Sequence, residues 1–329
     1  MDSLPSLSAP YTYFHQLLDD PLVFVISAGI LFDSGVALAI QKANGGSCHI
    51  VVQPSWNLYW QAKEIAFDIF KVREKHQHAQ FIVLCPTIQE VELLLSLGIK
   101  ALHVHKNAFI DEKIFHPITA IKKQYAAVYI ANVEKFKRHS LAWNIRNIAV
   151  VTYSYKANSD LSELQGYKHL AFSNFSPSSD AVILGAPLMP SQVNRIICAS
   201  CSGLMLSAEE GTNNASTEYL LSGVPVISTP SIGGREEFFD SRHVRIVQAS
   251  PDSIEAAVEY YLAHPLDPLE VRESILDKIK PHRIRFLNWL CEVSKRDLFL
   301  PVDQYYWSPN FVNKLRITTS IDLGQEGKK

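Results

Sequence analysis

Residues 203–235 read GLMLSAEEGTNNASTEYLLSGVPVISTPSIGGR, and this stretch decides the fold that we expect. It predicts a strand at residues 204–206, a helix at about 213–221 and a second buried strand at 225–229. Polar residues follow each strand, at the edge where open α/β sheets bind ligands. The helix N-terminus lies at the same edge, and its free N–H groups and partial positive charge favour a phosphate. The stretch therefore predicts a polar ligand site in an α/β domain.

Two acidic residues stand out in this stretch. Glu210 lies just before the predicted helix and Glu218 lies inside it, with seven residues between them. This spacing lets a loop acid and a helix acid face one ligand. An ionised carboxylate only accepts hydrogen bonds, so the pair suits the hydroxyl groups of a sugar and a ribose. A generic strand–helix–strand unit with two surface acids is the plainer reading.

The residues around these acids match the pattern of a known family. The matching positions are Glu210, Gly211, Glu218, Gly223, Pro225, Val226 and Ile227, followed by Gly233 and Gly234. This pattern resembles the donor-site sequence E-G-x6-E-A-x-x-x-G-x-P-V-I of retaining GT-B glycosyltransferases, family 4 type. Tyr219 stands where the family usually has Ala, and Thr212-Asn213 replace its usual Phe-Gly. The resemblance implies an α/β GT-B fold, with two Rossmann-like domains facing each other across a cleft.

A second matching segment suggests the domain limits. Asp111, Phe115 and Pro117 fit the D-x-x-x-F-x-P segment that closes the N-terminal domain in this family. We therefore expect a Rossmann-like, acceptor-side domain over residues 1–120. The nucleotide-sugar donor domain is expected over residues 121–296, and residues 297–329 are expected to form a tail that crosses back to the first domain.

The segment NVEKFKRHSLA, residues 132–142, carries the predicted phosphate-binding cations. Members of the family have G-R-L-x-x-x-K-G here, and their Arg and Lys hold the donor diphosphate. Lys137 falls on the lysine position, Asn132 falls on the arginine position, and Arg138 could supply the missing charge. Arginine binds phosphate through paired hydrogen bonds, whereas lysine acts as a point charge. A solvated basic turn is the alternative interpretation.

The resemblance assigns roles to individual residues. Glu210, Lys137 and Arg138 are the catalytic candidates, with Glu210 on the sugar hydroxyls, and Glu218 would bind the ribose. The other substrate-binding candidates are Gly211, Thr212, Asn213, Asn214, His139, Asn132, Gly35 and Ser173. Gly35 is expected in the first loop, where a glycine lets a ligand approach closely. Ser173 is expected in a polar loop at the end of a strand.

Composition limits the other classes of protein. The formal net charge of -2 gives no electrostatic reason to expect nucleic acid. A signal peptide would require a basic residue near its start, but no Lys or Arg precedes Lys42. The longest apolar run is too short to span a bilayer. Cys198 and Cys201 form a lone C-x-x-C without the second pair of a zinc site. We expect a reduced, cytoplasmic protein, either free or peripheral to a membrane, that needs no cofactor. No Asp-x-Asp occurs, so we expect no metal-dependent diphosphate clamp.

The resemblance implies a retaining, metal-independent glycosyltransferase of glycan or polysaccharide biosynthesis. Its partners would be a nucleotide-sugar donor and a carbohydrate, lipid-linked or small-molecule acceptor. A GT-B-fold sugar-nucleotide 2-epimerase, a non-catalytic nucleotide-sugar-binding protein and a structural α/β domain without a ligand stay open. The sequence leaves the sugar, the base, the acceptor and the oligomeric state undetermined.

Strand and helix patterns alternate along the rest of the chain, which predicts parallel sheets with crossover helices. We expect a short helix near residues 11–18. Near the C-terminus we expect two helices, over about residues 268–280 and 282–293, because Pro281 interrupts the pattern between them.

Overall fold

The structure is a computed structural model that describes residues 11–27, 32–54, 56–153, 164, 169–172, 188–295 and 317–319. Its elements in chain order are β1 (Tyr11–Asp19), β2 (Leu22–Ser27), α1 (Phe32–Ala43), β3 (Cys48–Gln53), α2 (Leu58–Lys75), β4 (Ala79–Cys85), α3 (Ile88–Ser96), β5 (Ala101–His103), β6 (Ala127–Asn132), β7 (Ile148–Tyr153), β8 (His169–Phe172), α4 (Pro190–Cys198), β9 (Gly203–Met205), α5 (Asn214–Leu221), β10 (Val226–Ser228), β11 (Val244–Ile246), α6 (Pro251–Ala263), α7 (Pro268–Ser294) and β12 (Ile317–Thr319). Short 3-10 turns occur at Lys106–Phe109, Lys135–Lys137, His139–Ala142 and Gly234–Glu236. The α/β class expected from the sequence is confirmed.

The chain divides into two compact units. The first comprises the described residues up to Ile110 together with those from Lys280 onward, and the second is Asp111–Ile279. The sequence placed these limits at residues 120 and 296. Residues 112–116 belong with the second unit because Arg272 donates hydrogen bonds to the carbonyls of Glu112 (2.9 Å) and Phe115 (2.7 Å).

The sheet of the first unit has the strand order β12-β1-β2-β3-β4-β5. Strands β2 to β5 are parallel, whereas β1 is antiparallel to both β2 and β12. Apolar residues fill both faces, with Ile50 and Val52 in one core and Val51 and Leu84 in the other. Such continuously apolar strands are typical of a parallel sheet that is covered on both sides.

The second unit contains a sheet of order β11-β10-β9-β6-β7-β8 in which every pair is parallel. Its first strand, β6, lies in the middle. The chain adds β7 and β8 on one side and then returns to add β9, β10 and β11 on the other. The boundary between β6 and β9 is therefore the topological switch point, where open α/β sheets bind ligands at the carboxyl ends of the strands.

The main core of the second unit is formed by the strand side chains that point to one face of its sheet. Tyr129, Leu204 and Ile227 point to one face of the sheet, where they pack with Ile254 and Val258 of α6. Successive side chains of a strand point to opposite faces. Gly203, one residue before Leu204, accordingly faces the other side, against Tyr219 of α5.

Two predicted elements differ from the structure. Residues 11–18 form part of strand β1 and not a helix, because their Tyr, Thr and Phe side chains suit a strand and β1 forms a two-residue hairpin with β2, with Asp19 opposite Leu22. The C-terminal region is one helix, α7, with Pro281 inside it. Pro281 and Asp277, whose carbonyl loses its helical partner, are both exposed, so water can satisfy that carbonyl.

None of the helices in the described ranges is both long and apolar enough to cross a bilayer.

Candidate functional site

The candidate site lies in the second unit, at the carboxyl ends of β6, β9 and β10. The chain leaves β6 into the 3-10 turn Lys135–Lys137, leaves β9 into the loop that precedes α5, and leaves β10 toward the 3-10 turn Gly234–Glu236. The segments after β6 and β9 flank the switch point directly. Glu210 and Lys137, predicted from separate segments, are therefore brought to the same crevice.

The side chains of Lys137 and Glu210 meet across this switch point. Lys137 Nζ and Glu210 Oε1 form an ion pair, and the two side chains are 8% and 6% exposed. Tyr129 of β6 anchors the lysine turn by donating a hydrogen bond from its hydroxyl to the carbonyl of Lys137. A cation and a carboxylate from segments 73 residues apart thus occupy one buried position.

Glu210 is held by three donors, and all of them contact the same oxygen. Besides Lys137, Ser207 Oγ donates to Glu210 Oε1 at 2.5 Å and Asn213 Nδ2 donates to it at 2.9 Å. Within the described part of the chain, Oε2 makes no hydrogen bond. The carboxylate is therefore fixed through one oxygen, and its second oxygen can accept a hydrogen bond from a ligand.

Arg138 ties the ends of two strands together. Its backbone has φ 54°, in the left-handed region that a non-glycine residue seldom adopts. Its Nε donates to the carbonyl of Leu206 (2.5 Å) and its Nη2 to Thr229 Oγ1 (2.7 Å). Burial lowers the pKa of the guanidinium, and Tyr129 opposes that effect. Arg138 was expected to supply the charge that Asn132 lacks, but protein oxygens already occupy two of its donor groups.

Arg235 is a cation of the site that the sequence interpretation did not include. It is 2% exposed, and it donates to the carbonyl of Ser207 (3.2 Å), to Ser228 Oγ (3.0 Å) and to the carbonyl of Thr229 (2.5 Å). Burial lowers its pKa, whereas the negative charge of Glu210 raises it. Its Nε is buried and has no hydrogen-bond partner among the described residues. The position of Arg235 after Gly233-Gly234 was the only feature of the sequence that could have assigned it to the site. An arginine at this position is equally compatible with an exposed turn.

The start of α5 presents backbone donors. Asn213 is the N-cap, and its side chain accepts from the N–H of Ala215 (2.8 Å) while its amide contacts Glu210. In the described ranges, the N–H groups of Gly211, Thr212 and Asn214 make no hydrogen bond. Thr212 Oγ1 is buried there without a partner. The segment thus offers three free N–H donors, as a phosphate site at a helix start requires.

Glu218 and Tyr219 lie in the second turn of α5. Glu218 is 8% exposed, and its carbonyl accepts from Ser222 Oγ at 2.6 Å. Tyr219 is fully buried, and its hydroxyl accepts from the N–H of Ile130 at 2.7 Å. The family departure at position 219 therefore places a phenol hydroxyl beside β6.

His139 and Asn132 do not present the groups that were expected of them. His139 is fully buried, its Nε2 lies 2.8 Å from the carbonyl of Asn132, and its ring packs 4.9 Å from that of Tyr129. This geometry assigns the histidine to the packing of the turn. Asn132 ends β6 and is buried, and its Oδ1 has no partner among the described residues. An amide oxygen accepts hydrogen bonds, so this atom does not replace the arginine of the family at a phosphate.

The remaining two predicted residues are Gly35 and Ser173. Gly35 is inside α1 and buried, and not in a loop, because α1 begins at Phe32. It belongs to the first unit. Ser173 lies outside the described residues.

Comparison with known proteins gives a family match over part of the chain. Residues 156–284 match the sequence model of a family described as Glycosyl transferase-like, which is less than half of the 329-residue chain. This segment contains β9, α5, β10 and Glu210. No curated protein matches the chain in sequence at a significant level.

Solved structures share the fold at low sequence identity. A trehalose-6-phosphate synthase is similar with a TM-score of 0.55 and 12% identity, over 85% of this chain and 75% of that one. HepE from Anabaena, described in complex with UDP and glucose, gives 0.52 and 10% over 82% and 76%. TarM gives 0.51 and 11% over 76% of this chain, which spans only 55% of the TarM chain. The chain therefore has the GT-B fold that the sequence predicted.

Proposed function

We propose that this chain is a retaining, metal-independent glycosyltransferase that moves a sugar from a nucleotide-sugar donor to an acceptor hydroxyl. The observation that carries the proposal is the meeting of Lys137 and Glu210 across the switch point of the second unit. Two further findings support it: the GT-B fold, and the glycosyltransferase-like segment that includes Glu210.

The leaving group explains the need for the cations. Transfer breaks the anomeric C–O bond and leaves negative charge on the diphosphate, while the sugar passes through an oxocarbenium-like state. Lys137 keeps two of its three N–H donors after it bonds Glu210. These donors and the free N–H groups of Gly211, Thr212 and Asn214 would bind the diphosphate and stabilise its developing charge.

The two acids serve the hydroxyl groups of the donor. Glu210 would bind a sugar hydroxyl through Oε2, since its Oε1 is held by Lys137, Ser207 and Asn213. Glu218 would bind the ribose. Because Oε1 is fixed, the carboxylate needs little reorganisation when the sugar arrives, which makes binding more favourable.

Retention follows if the acceptor attacks from the face that the diphosphate leaves. In this mechanism a phosphate oxygen of the departing diphosphate accepts the proton of the acceptor hydroxyl. The similar trehalose-6-phosphate synthase is described as an enzyme of glycosyl transfer with retention.

The proposed cations supply the charge that a metal ion supplies in other glycosyltransferases. We therefore expect full activity in the presence of EDTA, and an enzyme that EDTA inhibits would refute the metal-independent mechanism.

The first experiment identifies the donor. We expect one class among UDP-, GDP-, ADP-, CMP- and dTDP-sugars to raise the melting temperature, since a ligand that binds only the folded state stabilises it. UDP is the first nucleotide to test, because HepE is described bound to it. Slow hydrolysis of the donor to sugar and nucleoside diphosphate would then support a transferase. An altered sugar released without an acceptor would indicate the epimerase, and binding without turnover would indicate a non-catalytic protein.

Substitutions at the ion pair test the assigned roles. Lys137→Met should weaken the affinity for the nucleoside diphosphate by tenfold or more, as measured by calorimetry, while Lys135→Met, an exposed lysine of the same turn, should not. Glu210→Gln should abolish transfer with the fold retained, whereas Glu209→Gln should remain active. Glu210→Gln is preferred to Glu210→Ala, because the alanine leaves the buried Lys137 without a partner, at a cost of about 3–5 kcal/mol in stability. Unchanged affinity in Lys137→Met would refute the proposed site.

A further inference from the structure

The sheet of the second unit is interrupted at its switch point. Strands β6 and β9 are neighbours, yet their described register contains one pair, Val128 with Gly203. The N–H of Val128 bonds the carbonyl of Ser202 at 2.8 Å. In a continuous parallel ladder the N–H of Ile130 would next bond the carbonyl of Leu204, and it bonds the hydroxyl of Tyr219 instead, at 2.7 Å.

The tyrosine ring reaches this position because residue 203 is a glycine. A Cβ at Gly203 would lie 2.5 Å from Cγ and 2.7 Å from Cε2 of Tyr219, which is closer than real side-chain carbons approach. Tyr219 is fully buried, and burial raises its pKa, so the phenol is neutral. The glycine and the tyrosine thus form a matched pair that lets a phenol hydroxyl take the place of a strand carbonyl.

Beyond this hydroxyl, two side-chain contacts and one backbone hydrogen bond connect the chain after β6 to the chain after β9. Arg138 Nε bonds the carbonyl of Leu206, the N–H of Ala208 bonds the carbonyl of Phe136 at 3.3 Å, and Lys137 contacts Glu210. All three connections join the segment after β6 to the segment after β9. The crevice that contains the candidate diphosphate site therefore begins where Tyr219 ends the ladder.

We propose that Tyr219 is a positioning residue that keeps β6 and β9 apart, so that Lys137 and Glu210 stand at the distance that a diphosphate and its sugar require. This inference rests on the proposed function. Without the hydroxyl, Ile130 would bond Leu204, the ladder would extend, and the crevice would narrow. Tyr219 would not touch the substrate.

The test is Tyr219→Phe, which keeps the ring and removes only the hydroxyl. The matched control is Tyr261→Phe, since Tyr261 is another buried tyrosine of the same unit and lies on α6, where it packs in the core. We expect Tyr219→Phe to raise the Kd for UDP and the KM for the donor fivefold or more, with kcat reduced less. We expect Tyr261→Phe to change neither, at a similar melting temperature. If the role of Tyr219 were purely structural, Tyr219→Phe would behave like Tyr261→Phe. Its melting temperature would change, and its ratio of KM to kcat would stay as in the wild type.

A second measurement does not depend on the nucleotide. Amide exchange and the NMR shift of Ile130 N–H should change in Tyr219→Phe, and its crystal structure should show Ile130 bonded to Leu204. If Ile130 keeps its environment, or if UDP binds Tyr219→Phe as tightly as it binds the wild type, the inference is wrong. If the wild type binds no nucleotide, the proposed function fails, and the Ile130 measurement still decides whether Tyr219 separates the strands.

Discussion

At the scale of single residues, the Lys137–Glu210 pair is difficult to explain by stability alone. Both side chains are nearly excluded from solvent, and removing two charges from water costs several kcal/mol each. Their attraction and the hydrogen bonds from Ser207 and Asn213 offset that cost, but well-packed apolar residues often do as well. A buried ion pair at the carboxyl ends of strands is better explained by a charged ligand that needs both groups already in position.

Arg235 gives a prediction at the same scale. The guanidinium group of Arg235 connects Ser207, after β9, to Ser228 and Thr229 at the end of β10. The ammonium group of a lysine is a point charge and cannot make all of these hydrogen bonds together. Arg235→Lys should therefore lower the free energy of unfolding by about 2 kcal/mol or more, because buried acceptors lose their partners. Arg235→Met should lower it further, since it also removes the charge near Glu210. Urea unfolding followed by circular dichroism measures both values.

The control for this prediction is Arg242→Lys. The Arg242 side chain is 70% exposed and pairs with Asp240 at 2.8 Å, so a lysine at this position keeps an ion pair and leaves no fully buried acceptor without a partner. We expect its unfolding curve to coincide with that of the wild type. Equal effects of the two lysine substitutions would show that Arg235 does not hold the strand ends together.

The sequence could predict some residues of this site and not others, for a physical reason. Glu210 and Lys137 lie next to recognisable strand ends, and their types and spacing limit what they can bind. The roles of Arg235 and Tyr219 depend on contacts with residues distant in sequence, such as Ser207 and Ile130. His139 was assigned to the ligand because its ring could donate a further hydrogen bond, but its burial against Tyr129 places it in the packing of the turn.

At the scale of elements, local patterns predicted the strands and helices that have a strong apolar period. The helix α5 and the strands β9 and β10 begin and end within one residue of their predicted limits. The pattern was wrong where tertiary pairing decides the conformation, as in β1, which is a strand because it pairs with β2 and β12. It was also wrong at Pro281, because the buried positions Ile275, Ile279 and Phe286 keep the helical spacing across the proline.

His243, the residue before strand β11, gives a prediction about the pH dependence of stability. His243 precedes this strand, is 5% exposed, and has no hydrogen-bond partner for either ring nitrogen among the described residues. Burial lowers its pKa, with Asp240 opposing that effect. The folded protein therefore binds this proton less readily than the unfolded chain does. The contribution of the neutral ring to stability should be complete above the ordinary histidine pKa of about 6.5 and be lost as the pH falls below it.

We expect the melting temperature to fall between about pH 7 and pH 5, and His243→Gln to reduce the slope of that fall. His264→Gln is the control, because His264 is an exposed histidine at the end of α6 and should leave the slope unchanged. Differential scanning calorimetry over this range measures the effect. The same slope in the wild type and in His243→Gln would show that other groups cause the acid sensitivity.

At the scale of the whole molecule, each unit has its own sheet and its own apolar core. The residues that the structure brings together, Lys137, Arg138, Glu210 and Arg235, all belong to the second unit, as does Glu218. The hydrogen bonds described above for Lys137, Arg138, Glu210 and Arg235 all join residues of this unit. We therefore predict that the second unit is the one that binds the nucleotide.

Hydrogen exchange with and without saturating UDP tests this division. We expect exchange to slow severalfold in peptides that cover residues 129–139 and 203–218, because bound ligand suppresses local opening where it makes contacts. Peptides from α2 and α3 of the first unit provide an internal reference, and we expect no change there. In Lys137→Met the protection should disappear at the same UDP concentration, since the diphosphate loses its main cation. Protection confined to residues 11–110 would place the nucleotide in the other unit and overturn the assignment of the donor site to the crevice between β6 and β9.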